Sequence, residues 1–237
     1  MSGFYPFGDH YAIDLPGARA VFTTRRGGFS SGPYESLNLG RLTDDDPESV
    51  DRNRRALTEQ IERRMAMIRQ VHGTRVIPAA IHQNGDLPEA DGHVTAQAGL
   101  APLVMTADCL PVAVATPGAV AMLHAGWRGL AGGILAKGVA ALIELRPQQP
   151  VTAAIGPGAG RCCYEVGEEV HSAFPTWARH GNNLDLKQIA RRQLEEAGVE
   201  AVHDIDMCTI CGDPALWFSH RRDRGITGRQ GGLVWLT

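Results

Sequence analysis

Two histidines and a cysteine, each next to glycine or at the end of an apolar run, are the residues of this sequence best suited to chemistry. They are His72, Cys109 and His124. His72 precedes Gly73, Cys109 follows Asp108, and His124 is the first residue of the segment His-Ala-Gly-Trp-Arg-Gly. Two imidazoles and a thiolate suit zinc, which binds nitrogen at about 2.0–2.1 Å and sulfur at about 2.3 Å. Three protein ligands leave one coordination position open, as in catalytic zinc sites. These residues therefore predict one zinc-type catalytic centre, in which copper could also bind.

A predicted β-hairpin places two of these ligands together. Apolar runs on either side of Pro117-Gly118, a turn signal, indicate two consecutive strands. If the turn has two residues, Pro111 faces His124, and Cys109 becomes the diagonal neighbour of His124 on the same face. The inference depends on register, because a slip of one residue would send Cys109 to the other face. Pro-Gly is also not the turn that tight hairpins favour.

Other roles for the cysteines remain open. Cys109 and a histidine would also suit a thiol hydrolase, whose nucleophile and base need no metal. The simplest alternative is that Cys109 is a small buried side chain and that the histidines are core residues whose ring nitrogens are hydrogen-bonded within the protein. Cys208 and Cys211 form a single C-x-x-C, which lacks half the ligands of a zinc ribbon, so we interpret them as core thiols. Adjacent Cys162 and Cys163 are expected to be packed rather than paired with each other.

Four polar residues are candidates for contacts to phosphate or ribose. A guanidinium binds such groups bidentately, which favours Arg25, Arg54 and Arg128. Arg128 is the best of these because it lies where the chain turns into a helix, whose N-terminal amides attract anions. Each arginine could instead form a structural ion pair. Asn38 is a candidate for binding a ribose hydroxyl or for capping a turn.

The length and composition favour a single domain spanning residues 1–237. With 43% hydrophobic residues the chain can bury one sizeable core. Its 23 Lys+Arg nearly balance 26 Asp+Glu, and no long run of like charge appears, so neither nucleic acid nor a membrane surface is an expected partner. No secretory or membrane-spanning pattern is found, which predicts a cytoplasmic protein. Five cysteines are an odd number, so reduced thiols are expected rather than a disulfide framework.

Strands and helices are interspersed along the sequence without regular alternation. Apolar patterns predict strands at 18–24, 74–80, 103–105, 110–115, 119–123, 151–155 and 233–236. Helical spacing and caps predict helices at 47–65, 130–143 and 185–198. The absence of repeated βαβ units favours a mixed-sheet α+β or α/β domain over a doubly wound parallel sheet.

With these motifs assembled, the sequence resembles the laccase-domain family, also called YfiH-like or polyphenol oxidase family proteins and described as purine nucleoside phosphorylases. The resemblance covers nearly the whole chain and implies a four-layer α-β-β-α sandwich with mixed sheets. It also implies a zinc ion at the positions of His72, Cys109 and His124. The segments that carry it include 23–25, 27–28, 36–40, 53–54, 71–73, 106–109, 124–129, 155–157, 163–167, 208–209, 218–219, 221–222 and 227–229, whereas His220 stands where the family more often carries an aromatic residue.

The resemblance implies phosphorolysis of adenosine, inosine and methylthioadenosine, and hydrolytic deamination of adenosine, so the expected partners are a purine nucleoside and phosphate. For deamination we expect activated water to attack C6 of adenine while Asp108 or Glu165 moves protons. The older family label implies copper-dependent phenol oxidation, but the nine histidines include no His-x-His pair. The family is also described as a peptidoglycan-editing amidase that acts on a muropeptide precursor.

Two non-enzymatic classes also remain open from the sequence. A nucleoside-binding regulator would bind the same ligand without turnover. A structural metal protein would use the same three ligands, although the open fourth position argues against it. Either a monomer or a weak homo-oligomer is expected.

Overall fold

Two six-stranded mixed sheets face each other in the computed structural model, which describes residues 3–82 and 86–237. No helix in these two ranges has the length and apolar character needed to cross a bilayer. The strands are β1 Phe4–Phe7, β2 His10–Leu15, β3 Ala18–Phe22, β4 Arg64–Ala66, β5 Val76–Pro78, β6 Gly92–Thr95, β7 Leu100–Thr106, β8 Leu110–Thr116, β9 Ala119–Ala125, β10 Thr152–Ile155, β11 Arg179–His180, β12 Asn183–Leu184, β13 Ala201–Asp204 and β14 Gln230–Leu236. The α-helices are α1 Pro47–Ile61, α2 Trp127–Ala131, α3 Ile134–Leu145, α4 Glu168–His171 and α5 Leu186–Glu196.

Helices cover the outer faces of both sheets, which gives the predicted α-β-β-α layers. The first sheet has the order β1-β2-β3-β14-β7-β4, and the second has the order β13-β10-β8-β9-β6-β5. Leu57 and Ile61 of α1 pack on the outer face of the first sheet. Phe22 and Met122 lie between the sheets, and apolar side chains of α3 and α5 cover the second sheet. Parallel pairs among the antiparallel ones make both sheets mixed, so the α+β fold class is confirmed.

The hairpin of β8 and β9 has the predicted register. Thr116 pairs with Ala119 across the turn, and Pro111 pairs with His124 at the other end. Every residue of both strands is buried, because one sheet face packs on the first sheet and the other on the helices. Cys109 immediately precedes β8, at the end of the hairpin that carries His124.

Two of the predicted helices differ from those in the structure. The helix expected at 130–143 is interrupted between α2 and α3, because Gly133 has a φ of 81°, which lies outside the helical region. The helix expected at 47–65 ends at Ile61. The next residue, Glu62, has a φ of 53°, and Met65 consequently lies in β4 rather than on the face of α1.

Candidate metal centre

The structure brings His72, Cys109 and His124 together. One ring nitrogen of each histidine and the thiol sulfur all lie within 4.8 Å of one another. The two imidazole rings meet edge to face, with their centroids 4.8 Å apart. His124 is buried, Cys109 is half-buried and His72 is exposed, so one side of this three-residue group faces the surface and is open to a ligand.

Local backbone geometry sets the positions of these three side chains. Continuing the ladder of the hairpin by one residue places Gly126 opposite Cys109. A Cβ atom on Gly126 would lie 2.8 Å from the Cys109 sulfur, so only glycine leaves room for the thiol. His72 and Asp108 have φ values of 59° and 96°. Such left-handed conformations cost non-glycine residues about 1–3 kcal/mol and concentrate at functional sites.

Asp91 holds two parts of the group together, and the sequence analysis missed it. Its Oδ1 accepts a hydrogen bond from Nδ1 of the buried His124 at 2.8 Å. The same carboxylate accepts the backbone N–H groups of Val71, His72 and Gly73 at 3.2, 2.9 and 2.6 Å. One wholly buried carboxylate therefore fixes the ring of one ligand and the loop that carries another. In the sequence, Asp91 stands between Ala90 and Gly92 without a motif that marks it.

Cys109 and His124 form a pair of opposite charges. Burial disfavours the thiolate, but the charges of His124 and His72 and their hydrogen bonds outweigh it and lower the pKa of Cys109 to about 6. Burial also disfavours the imidazolium, but the Cys109 thiolate and Asp91 raise the pKa of His124 to about 9. The thiolate is the form that binds a metal or acts as a nucleophile. Cys109 is thus activated for either chemistry at neutral pH.

The donor set fits a zinc-type ion. His124 donates through Nδ1 to Asp91, which leaves Nε2 as the donor for a metal, in the carboxylate–histidine arrangement typical of metal sites. Cys109, His124 and Asp91 taken alone would also make a thiol nucleophile, its base and the group that orients the base. A thiol hydrolase needs only one imidazole as its base, but the ring of His72 is a second imidazole close to the Cys109 sulfur. Two imidazoles, a thiolate and an open side are the features of a catalytic zinc site.

Asp108, the predicted proton carrier, is held by two hydrogen bonds. Its Oδ1 accepts the hydroxyl of Thr209 at 2.7 Å, and its Oδ2 accepts the backbone N–H of Arg221 at 2.7 Å. Tyr164, which the sequence analysis missed as a site residue, lies within range of the charges of Asp108 and Cys109. Burial and these two negative charges raise the pKa of Tyr164 to about 12, so its phenol keeps the proton.

The guanidinium groups of Arg25 and Arg54 donate hydrogen bonds to backbone carbonyls of the protein. Arg25 donates to the carbonyls of Glu35 and Pro214. Arg54 donates through two nitrogens to the carbonyl of Leu39 at 2.9 and 2.6 Å. Burial lowers the pKa of Arg54 to about 10. These hydrogen bonds to carbonyls occupy part of each guanidinium, and the contact of both arginines with phosphate or ribose stays a prediction.

Asn38 is also a structural residue. It is wholly buried, and its Oδ1 accepts the backbone N–H groups of Gly40 and Arg229 at 2.9 and 2.8 Å. Its Nδ2 donates to the side chains of Thr43 and Asp45, each at 2.9 Å. Of the two roles predicted for Asn38, the capping of a turn fits these contacts, whereas the ribose contact stays a prediction without support from them.

Arg128 is the one exposed residue among the four predicted substrate contacts. Its guanidinium lies over the ring of Trp127, 4.3 Å from the centroid. Its positive charge acts on Tyr164, which also senses the charge of Cys109. Helix α2 has only five residues, so the predicted helix-dipole contribution to anion binding is small.

Arg229, which the sequence analysis missed as a site residue, is a second cation within range of the charge of Cys109. Its Nη1 also donates to the carbonyls of Thr227 and Gly228, each at 2.9 Å.

A second group of sulfur atoms corrects the interpretation of the C-x-x-C segment. The Sγ atoms of Cys162, Cys163, Cys208 and Cys211 all lie within 4.8 Å of one another. The interpretation of Cys208 and Cys211 as core thiols without further ligands is therefore wrong, because Cys162 and Cys163 supply two more sulfur atoms. All five cysteines lie in the described part of the chain, and each is a free thiol.

Comparison with known proteins identifies the family. Residues 19–237 match the family model described as multi-copper polyphenol oxidoreductase laccase. The chain belongs to this family. It is 41% identical over 232 residues to a Pseudomonas aeruginosa protein named purine nucleoside phosphorylase, covering 92% of this chain and 93% of the relative. The Escherichia coli protein YfiH, also named purine nucleoside phosphorylase, is 36% identical over 93% of this chain and 94% of its own.

Solved structures of similar proteins share the fold of this chain. A crystal structure of a Neisseria meningitidis protein has a TM-score of 0.87 and 38% identity, covering 97% of this chain and 99% of its own. YlmD from Geobacillus stearothermophilus has a TM-score of 0.88 and 34% identity, covering 98% and 97%. The family resemblance of the motifs and the two-sheet architecture are both confirmed.

Proposed function

We propose that this laccase-domain protein is a zinc-dependent purine nucleoside phosphorylase acting on adenosine, inosine and methylthioadenosine, and that it also deaminates adenosine. Relatives that align with more than nine-tenths of the chain are named purine nucleoside phosphorylase. The observation that carries the proposal is the convergence of His72, Cys109 and His124 into one group with an open side.

His72, Cys109 and His124 would hold the zinc ion. When bound, zinc supplies a Lewis acid that polarises an oxygen at the open position. Metal ligands must be deprotonated, so uptake removes the proton that the raised pKa keeps on His124. Asp91 keeps Nδ1 of His124 protonated throughout, which leaves Nε2 as the ligand atom.

Phosphorolysis requires a phosphate oxygen to bond to ribose C1′ while the bond from C1′ to the purine breaks. Arg128 would bind and orient the phosphate, because its guanidinium is exposed beside the group and can pair bidentately. Tyr164 keeps its proton and would donate a hydrogen bond to the departing purine. Arg229 adds positive charge near the phosphate.

Deamination requires water to add at C6 of adenine and ammonia to leave. Asp108 is the residue we assign to proton movement, because each of its oxygens keeps a second lone pair beyond the hydrogen bonds from Thr209 and Arg221. Glu165, the other predicted proton carrier, has an exposed side chain, and its backbone carbonyl is what Arg221 contacts. Asp108 is therefore preferred over Glu165.

Copper-dependent phenol oxidation has less support from the donor set. Within the described residues, His72 and His124 are the only two of the nine histidines that belong to a group able to hold a metal. A single copper ion could still occupy the His₂Cys group, because copper binds such ligands more tightly than zinc. Copper in a purified sample would therefore not establish oxidase activity.

The hydrogen bond between Asp91 and His124 favours one second candidate, a metal-independent hydrolase with Cys109 as nucleophile. A muropeptide-precursor amidase would suit either a zinc centre or this thiol. The discriminating property is the response to chelation, since a thiol nucleophile acts without a metal.

The test compares chelated protein with the same protein reloaded with zinc, on adenosine with and without phosphate, with products identified by mass. We expect adenine and ribose 1-phosphate only when phosphate is present, and inosine in both cases. Chelation should abolish both reactions, and zinc should restore them. Turnover that survives chelation would favour the thiol hydrolase, and cleavage of a muropeptide precursor without nucleoside turnover would favour the amidase.

A further inference from the structure

The four thiols of Cys162, Cys163, Cys208 and Cys211 lie outside the group that contains Cys109. We propose that these four thiols form a second metal centre, a closed tetrathiolate site that binds zinc for structural purposes. These four residues are termed the four-cysteine cluster. Zinc binding by the cluster does not require the proposed nucleoside chemistry.

The spacing of the sulfur atoms matches such a centre. All four lie within 4.8 Å of one another, and Cys162 and Cys211 are 3.4 Å apart. In a tetrahedral site with zinc–sulfur bonds of about 2.3 Å, neighbouring sulfur atoms are about 3.8 Å apart. Small side-chain rotations therefore suffice to place the four sulfurs around one ion.

A backbone N–H group is directed at one of the sulfurs. The amide of Gly160 donates to Sγ of Cys208 at 3.3 Å. A hydrogen bond of this kind favours the charged, metal-binding form of the sulfur.

The chain segments that carry the two cysteine pairs are joined by backbone hydrogen bonds. Gly158 forms a parallel bridge with Cys208. The Gly158 amide donates to the carbonyl of Met207 at 3.2 Å, and the Thr209 amide donates to the carbonyl of Gly158 at 3.0 Å. Gly160 lies against the sulfurs, since a Cβ atom there would be 3.1 Å from Sγ of Cys162. The cluster is thus assembled by the fold.

A disulfide is the main chemical rival, because Cys162 and Cys211 are both exposed and their sulfurs are close. A disulfide would use two of the four thiols and would need an oxidant. It would leave unexplained why Cys163 and Cys208 lie within reach of the same point. Four thiolates and no carboxylate form a soft donor set that selects zinc over magnesium or calcium. Binding would release the protons that the thiols carry.

The position of the cluster suggests what it stabilises. Thr209 follows Cys208 directly and donates its hydroxyl to Oδ1 of Asp108 at 2.7 Å. Asp108 in turn precedes the ligand Cys109. A metal ion in the cluster would therefore anchor the segment that supports the candidate catalytic centre. Thr209 is a positioning residue in this arrangement.

The test counts metal rather than turnover. Zinc-replete, reduced protein should contain two equivalents of zinc per chain by elemental analysis. The Cys162→Ser/Cys211→Ser variant should retain one, and the Cys109→Ala/His124→Ala variant should also retain one. Cobalt bound to the latter variant should show strong sulfur-to-cobalt charge-transfer absorption, as expected for a site built from thiolates alone.

A folding readout keeps the test decisive if the serine variant is unstable. Zinc should raise the melting temperature of the metal-free Cys109→Ala/His124→Ala variant, because only the four-cysteine cluster remains to bind it. The proposal is overturned if that variant binds no zinc under reducing conditions. It is equally overturned if mass spectrometry of freshly isolated protein shows a Cys162–Cys211 disulfide and the reduced form takes up only one equivalent.

Discussion

Oδ1 of Asp91 accepts a hydrogen bond from Nδ1 of His124 at 2.8 Å, and both groups are buried. The same carboxylate binds the backbone amide of His72. Asp91 thus connects two proposed zinc ligands that are far apart in sequence. If the group is a zinc site, Asp91 sets the ring orientation of one ligand and the loop position of the other.

Replacing this carboxylate should weaken zinc binding without removing a ligand. We expect Asp91→Asn to lower zinc affinity by about 10- to 100-fold, the range seen when such partners of metal-bound histidines are lost. Competition with a chromophoric chelator measures the affinity, and thermal unfolding of the metal-free variant reports any loss of fold. Unchanged affinity in a folded variant would show that Asp91 has only a structural role.

The ligands themselves should be required for both proposed reactions. Cys109→Ser should abolish phosphorolysis and deamination together, because a hydroxyl is a poor substitute for a soft thiolate ligand. His180→Ala is the control, since it removes an exposed imidazole that belongs to neither group of metal-binding residues and should leave both reactions unchanged. Full adenosine turnover in Cys109→Ser would reject the metal mechanism.

Arg128 should separate the two reactions. Arg128→Ala should lower the rate of phosphorolysis by about 10- to 100-fold, the loss expected for a charged hydrogen-bonding contact, with little effect on deamination. Arg55→Ala removes an exposed arginine of α1 and should change neither rate. Both products are measured in one reaction. Equal losses of adenine and inosine formation would remove the phosphate role of Arg128.

The reactivity of Cys109 in metal-free protein should depend on pH in a particular direction. Its pKa is lowered to about 6, so the thiolate is present above this pH and is lost as the pH falls through it. Alkylation of Cys109 by iodoacetamide, followed by peptide mass mapping, should therefore have its midpoint near pH 6. In His124→Ala the midpoint should rise, because burial then disfavours the thiolate without the compensating positive charge. A midpoint that does not move would show that the pair is not coupled.

Close packing beside the sulfur should make one glycine indispensable. Gly126→Ala should weaken zinc binding, because the added Cβ would lie 2.8 Å from Sγ of Cys109 and must displace it. Gly73→Ala is the matched control, since its Cβ would meet nothing closer than Oδ2 of Asp91 at 3.4 Å, an ordinary contact. Equal zinc affinity in the two variants would contradict this account.

The local geometry of the site was predictable, but the partners that hold it were not. The register of the β8–β9 hairpin followed from the period of the apolar residues and a two-residue turn, and this placed Cys109 near His124. Asp91 and Thr209 reach the site through tertiary hydrogen bonds to residues 33 and 101 positions away. No local pattern in a single sequence encodes such distances.

The arginines show a similar limit of prediction from sequence. The residue types of Arg25 and Arg54 suit phosphate, but the hydrogen bonds that their guanidinium groups donate to loop carbonyls depend on the tertiary structure. The four-cysteine cluster was missed for a related reason. Nothing in the spacing of Cys162 and Cys208 predicts that a parallel bridge at Gly158 brings them together.

The three proposed ligands differ in how firmly the backbone holds them, and this has a kinetic consequence. His124 lies in a central buried strand, and Cys109 is tied to the adjoining one, whereas His72 lies in an exposed turn held mainly by Asp91. Segments of the central sheet open far less often than exposed turns. Zinc exchange should therefore proceed through departure of His72, with the ion briefly retained by the hairpin alone, so that the turn at His72 sets the residence time of the metal.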